Sequence, residues 1–96
     1  MKEVHFFVYG RVQGVGYRAW CVKQAKSLFL SGWVRNRANG SVEVKAFGSI
    51  EAIDSFVLSC QKGPLWANVT HIEPVHIPTA VQPEIVEGIF LQKPTL

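Results

Sequence analysis

Apolar residues in this chain of 96 change their spacing from every second position to every third or fourth and back again, twice, and that alternation constrains the fold more than any other feature. From Val4 to Tyr9 the residues are β-branched or aromatic except His5, with Val4, Phe6 and Val8 on one face; this predicts a strand ended by Gly10. Over Tyr17 to Leu28 the period becomes helical. Val22, Ala25 and Phe29 fall on one stripe, which Cys21 and Leu28 widen. Gly32 to Arg37 and Ser41 to Phe47 alternate again around Ala38-Asn39-Gly40. An Asn-Gly pair readily takes positive φ angles, so an antiparallel hairpin is expected. Ser49 is placed to cap a second helix over residues 50–62, with Glu51 in its first turn, Ile53, Phe56, Val57 and Cys60 on its apolar side, and Gly63-Pro64 as its stop. A strand from Ala67 to Ile77, bent near Pro74, and a shorter one from Gly88 to Lys93 complete the pattern, with a Pro-containing loop over 78–88 between them.

The resulting order is β-α-β-β-α-β plus a short final strand. It predicts an α+β fold of the ferredoxin-like, split βαβ type: a sandwich with two helices on one face of a mixed, mainly antiparallel sheet. Residues 1–96 are expected to form one domain, because a second core of this length could not offset its own ordering entropy. An apolar content of 48% with 18% charged residues fits a packed core rather than a disordered chain. In this topology the first and second strands run parallel, joined by a right-handed crossover, with the third inserted between them. Their C-terminal ends then share one sheet edge, so the loop after Gly10 and Asn36 at the end of the second strand should converge.

That loop is where chemistry is expected. Gly14 and Gly16 permit positive φ and close approach, and the segment leads straight into a helix N-terminus whose first N–H groups have no intrahelical acceptor. Such a loop is a nest for an anion. It is no Walker A loop, lacking a Lys-Ser/Thr after the second glycine, and it lacks the third glycine of the dinucleotide fingerprint. Arg18, in the first helical turn, is poorly placed for the macrodipole and well placed to fold over an anion in the loop.

Three strings carry a family resemblance: GRVQGVGYR over residues 10–18, GWVRNRANGSVEV over 32–44, and GPLWANV over 63–69. Together they resemble the acylphosphatase family over nearly the whole chain. The resemblance implies metal-independent hydrolysis of the carboxyl-phosphate bond of small acylphosphates to carboxylate and inorganic phosphate, without a cofactor. Arg18 matches the family's phosphate-binding arginine and Asn36 its water-positioning asparagine, with Val12, Gln13, Gly14, Val15, Gly16 and Tyr17 forming the phosphate-binding loop. One departure stands in LFLSGW, where the family has a glycine after the first helix. Phe29 in a left-handed cap would be strained by about 1 kcal/mol or more, so a different helix end is expected.

Two other functional classes have some support. A non-catalytic, anion-binding regulatory module would keep the loop, since this fold hosts many functions. An RNA-binding sheet would use the aromatic residues and the net charge of +3, but the first strand lacks the Lys/Arg-Gly-Phe pattern of such sheets, and the glycine loop would go unexplained. The basic residues are scattered, with Arg35 and Arg37 the tightest pair, and read as a solvated surface. The N-terminus lacks a signal-peptide core and no apolar run approaches about 20 residues, so a cytoplasmic, monomeric protein without membrane contact is expected. Cys21 and Cys60 fit neither a CxxC nor a zinc pattern; buried free thiols and a disulfide between the helices both stand as readings. His5, His71 and His76 read as structural or surface residues, and Trp33 and Trp66 as packing groups.

Overall fold

In the computed structural model, which describes residues 1–75 and 83–96, five strands form one sheet and two helices cover one of its faces. In chain order the elements are β1 (Lys2–Arg11), α1 (Tyr17–Ser27), β2 (Ser31–Asn36), β3 (Val42–Gly48), α2 (Ile50–Lys62), β4 (Asn68–Pro74) and β5 (Phe90–Gln92). The sheet order is β4-β1-β3-β2-β5, antiparallel except for the β2–β5 pair. This is the expected split βαβ arrangement, with the final strand added beside β2.

Strand period decides which residues face the helices. Val8 of β1 and Asn36 of β2 both pair with Val42 of β3, and Phe6 and Val34 both pair with Val44, so these six share one face. The helices bring Tyr17, Cys21 and Ala25 from α1 and Ile53, Phe56 and Cys60 from α2 onto it, all buried. Truncating a fully buried side chain here, such as Ile53→Ala, costs about 2–5 kcal/mol. Cys21 and Cys60 are free buried thiols.

The opposite face carries a polar cluster. Glu43 accepts from Arg35 Nε at 2.8 Å through Oε1 and lies 2.6 Å from His5 Nε2 through Oε2. All three side chains are at most one-tenth exposed. Arg35 also lies over the Trp33 ring, 4.9 Å from its centroid, and Arg37 lies 3.7 Å from the Phe7 centroid. Of the tight basic pair, Arg35 is therefore built into the sheet rather than solvated, because alternation puts it directly opposite Glu43.

Several local expectations change. Phe29 does adopt the left-handed cap, at φ 58°, and is 93% exposed instead of lying on the apolar stripe. Leu30 N–H donates to the Ala25 carbonyl at 3.0 Å and Phe29 N–H to that of Lys26 at 3.1 Å, the pair of bonds of a Schellman motif. Burial of Leu30 and closure of both carbonyls outweigh the local strain. In the hairpin Gly40 takes positive φ and Asn39 does not. Gly40 N–H closes a turn onto Arg37, and the Asn39 side chain accepts from Ser41 N–H at 3.1 Å. Trp33 is fully buried, as expected of a packing group, whereas Trp66 is not packed and is 76% exposed. The expected strand end at His76-Ile77 and the first part of the 78–88 loop lie outside the described residues.

Candidate active site

The segment between β1 and α1 is held in an open loop by glycine. Gly14 and Gly16 have φ of 74° and 80°, conformations that cost a residue with Cβ about 1 kcal/mol or more. Gly16 is the N-cap of α1 and supplies no side chain; no acidic residue occupies the first turn. The first intrahelical acceptor is met by Trp20, whose N–H donates to the Gly16 carbonyl at 3.0 Å, which leaves the N–H groups of Tyr17, Arg18 and Ala19 without helical partners. Orphan donors and the positive end of the helix dipole thus face one place.

That place is a pocket of about 130 Å³ lined by Val12, Gly14, Gly16, Tyr17, Arg18, Ala19, Asn36 and Gln92. A larger groove of about 410 Å³ lies between α2 and the β1–β4 edge of the sheet, but its lining from Val4, Phe6, Val57 and Ile72 is mostly apolar and offers no helix N-terminus. Donor chemistry, not size, selects the smaller pocket for an anion.

Arg18 and Asn36, distant in sequence, meet at this pocket as topology requires. Among the described residues, no carboxylate pairs with the Arg18 guanidinium. Asn36 Oδ1 is buried with no hydrogen-bond partner, the one such side-chain atom among the described residues. Buried acceptors are normally satisfied, at a cost of about 1–3 kcal/mol when they are not. The Asn36 backbone, by contrast, is tied on its carbonyl by Leu96 N–H at 3.0 Å.

The remaining loop residues divide. Gly14 and Gly16 line the pocket directly, while the Val12 side chain is buried in the core and Val15 packs partly against it. Gln13 turns its amide away from the pocket. Its Nε2 donates to the carbonyls of Arg37 and Ser41, each at 2.8 Å. The Tyr17 side chain is core. Its hydroxyl donates to the Cys60 carbonyl at 2.8 Å, and burial first, then the neighbouring thiols, push its ionisation far above the ordinary value. Burial also raises the Cys21 thiol well above its usual range, so neither group offers a nucleophile.

Gln92 and Ala19 were not marked by the sequence patterns. Gln92 reaches the site because β5 runs parallel to β2 and sets it opposite Val34, on the helix-covered face beside Asn36. Nothing in three residues of strand announces that register.

A family model for acylphosphatase matches residues 4–83. An acylphosphatase of Rhodospirillum rubrum is 41% identical over 96 residues, the full length of both chains, and one of Azorhizobium caulinodans is 50% identical over 70 residues, 73% of this chain and 75% of that protein. Among solved structures, the crystal structure of acylphosphatase from Bacillus subtilis superposes with a TM-score of 0.83 at 34% identity, covering 97% of this chain and 99% of that one.

Proposed function

This chain belongs to the acylphosphatase family and hydrolyses acylphosphates, and we propose that Arg18 and the glycine loop hold the phosphoryl group while Asn36 holds the attacking water. The observation that carries this division is the buried, unpartnered Asn36 Oδ1 in a pocket that Arg18 and the N-terminal turn of α1 also line.

The chemistry asks for little more. The leaving group is a carboxylate with a conjugate acid near that of Glu, at a pKa of about 4.3, so it departs without a general acid. Phosphoryl transfer through a loose transition state needs its three equatorial oxygens stabilised and its nucleophile held in line. The N–H groups at Val15, Gly16, Tyr17 and Arg18, with the Arg18 guanidinium, do the first. Asn36 Oδ1 accepts a hydrogen bond from water and so turns an oxygen lone pair toward phosphorus. The P–O bond to the acyl carboxylate breaks as the bond to water forms, giving carboxylate and inorganic phosphate. Water's proton passes to solvent or to a phosphoryl oxygen, without a side-chain base.

The reaction of this site needs no metal, and residues 1–96 act as a monomeric, cytoplasmic domain. Hydrolysis in ¹⁸O-labelled water tests where attack occurs. The label should appear in the phosphate; its appearance in the carboxylate would place attack at carbon and remove the role given to Asn36.

A further inference from the structure

We propose that the exposed pair Leu65 and Trp66 receives the acyl group of the substrate and makes the enzyme selective for acylphosphates with large apolar or aromatic acyl groups. The proposal rests on the in-line hydrolysis set out above.

The placement comes from sheet order. Asn68 of β4 pairs with Arg11 at the end of β1, so the chain just before β4 lies against the start of the anion loop. There Ala67 N–H donates to the Pro64 carbonyl at 3.0 Å and closes a turn with Leu65 and Trp66 at its two corners. Gly63, at the base of this turn, stands against the Tyr17 ring. A Cβ on Gly63 would lie 3.2 Å from Cε2 of the buried Tyr17 ring, which anchors the base of the turn to the core beneath α1. The Asn68–Arg11 pairing therefore sets the turn on the β4 side of the segment from which the anion loop starts.

Asn36 is on the other side. With the order β4-β1-β3-β2-β5, the anion loop leaves β1 between the turn before β4 and the end of β2. In-line displacement puts the entering water and the departing carboxylate on opposite sides of phosphorus. Water held by Asn36 thus directs the acyl group away from β2, toward Leu65 and Trp66.

The side chains there suit that task. Leu65 is 87% exposed and Trp66 76% exposed, and neither belongs to the core cluster. Single exposed apolar residues need no explanation, but two neighbours on one tight turn beside the start of the anion loop form a surface that gains by being covered. An indole face accepts an aryl or alkyl group with little loss of its own freedom, having two χ angles to fix. A phosphate nest cannot distinguish one acyl group from another, so any discrimination must lie outside it.

The test compares benzoyl phosphate with acetyl phosphate on the full chain, alongside the inhibition constant of inorganic phosphate. Trp66→Ala should raise KM for benzoyl phosphate at least fivefold while leaving acetyl phosphate and phosphate inhibition within twofold of wild type. Leu65→Ser should act in the same direction. Equal losses on both substrates, or none, would overturn the acyl platform while leaving the hydrolase reading intact. A wild-type chain that hydrolysed neither substrate would overturn both. Self-association abolished by Trp66→Ala, with substrate preference unchanged, would make the pair a contact between copies and overturn the proposal.

Discussion

Gln13 Nε2 donates to the carbonyl of Arg37 at 2.8 Å, tying the anion loop to the residue that follows Asn36. A second bond of the same length reaches Ser41 across the hairpin mouth. One amide thus fixes the separation between the two halves of the site. Gln13→Ala leaves both carbonyls without this donor, at an expected loss of about 1–2 kcal/mol of stability. Loosened spacing should lower kcat about 10- to 100-fold with little change in phosphate inhibition, since misplacement by a full ångström can cost about 100-fold in rate. Gln13→Glu, which has no donor, should not restore kcat; a kcat equal to wild type in either variant would remove this positioning role.

Phe29 is a stabilising opportunity that function does not use. Its positive φ and its 93% exposure mean that replacement by glycine relieves strain and removes no buried contact. Phe29→Gly should raise stability by about 1 kcal/mol, and the melting temperature by about 4–8 °C, with unchanged activity. A lower melting temperature would show that the Schellman cap depends on the phenyl group.

Glu43 predicts an acid limb. Burial alone would raise its carboxyl, but hydrogen bonds from His5 and Arg35, with their charges, outweigh burial and hold it below the ordinary value. A depressed folded-state value means that the carboxylate's stabilisation is full above the unfolded value of about 4.3 and is lost as pH falls through the folded one. Glu43→Gln should cost about 2 kcal/mol at pH 7, and its difference from wild type should shrink below about pH 4. A difference that stayed constant down to pH 2 would contradict the assignment.

Much of this was legible in the sequence because it depends on periodicity. The switch from Val4-Phe6-Val8 to the helical stripe through Cys21 and Ala25 gave β1 and α1, and topology alone brought Arg18 and Asn36 together. The role of Asn36 came from the resemblance to acylphosphatases, because an Asn at a strand end reads from its own pattern as a solvent-facing or turn-adjacent polar residue. The misreadings have a common cause, since each turned on a side chain's partner across space. Gln13 stands in the anion loop as expected by its position, but the reach of its side-chain amide to the hairpin could not be read from the loop alone. Trp66 looked like core until the turn at Pro64–Ala67 showed it outward. Arg35 looked solvated because its partner Glu43 comes from the adjacent strand, and Gln92 depends on a parallel register that three residues do not encode.

The division of labour between Arg18 and Asn36 is best tested by kcat and phosphate inhibition measured side by side, in metal-free buffer with benzoyl phosphate. Asn36→Ala should lower kcat by about 100-fold or more, leave phosphate inhibition within twofold, and keep or slightly raise stability, because it removes an unsatisfied buried acceptor. Arg18→Ala should lower turnover by about 1,000-fold and abolish competitive inhibition by phosphate. An Asn36→Ala enzyme with wild-type kcat, or an Arg18→Ala enzyme still inhibited by phosphate as wild type is, would contradict the account.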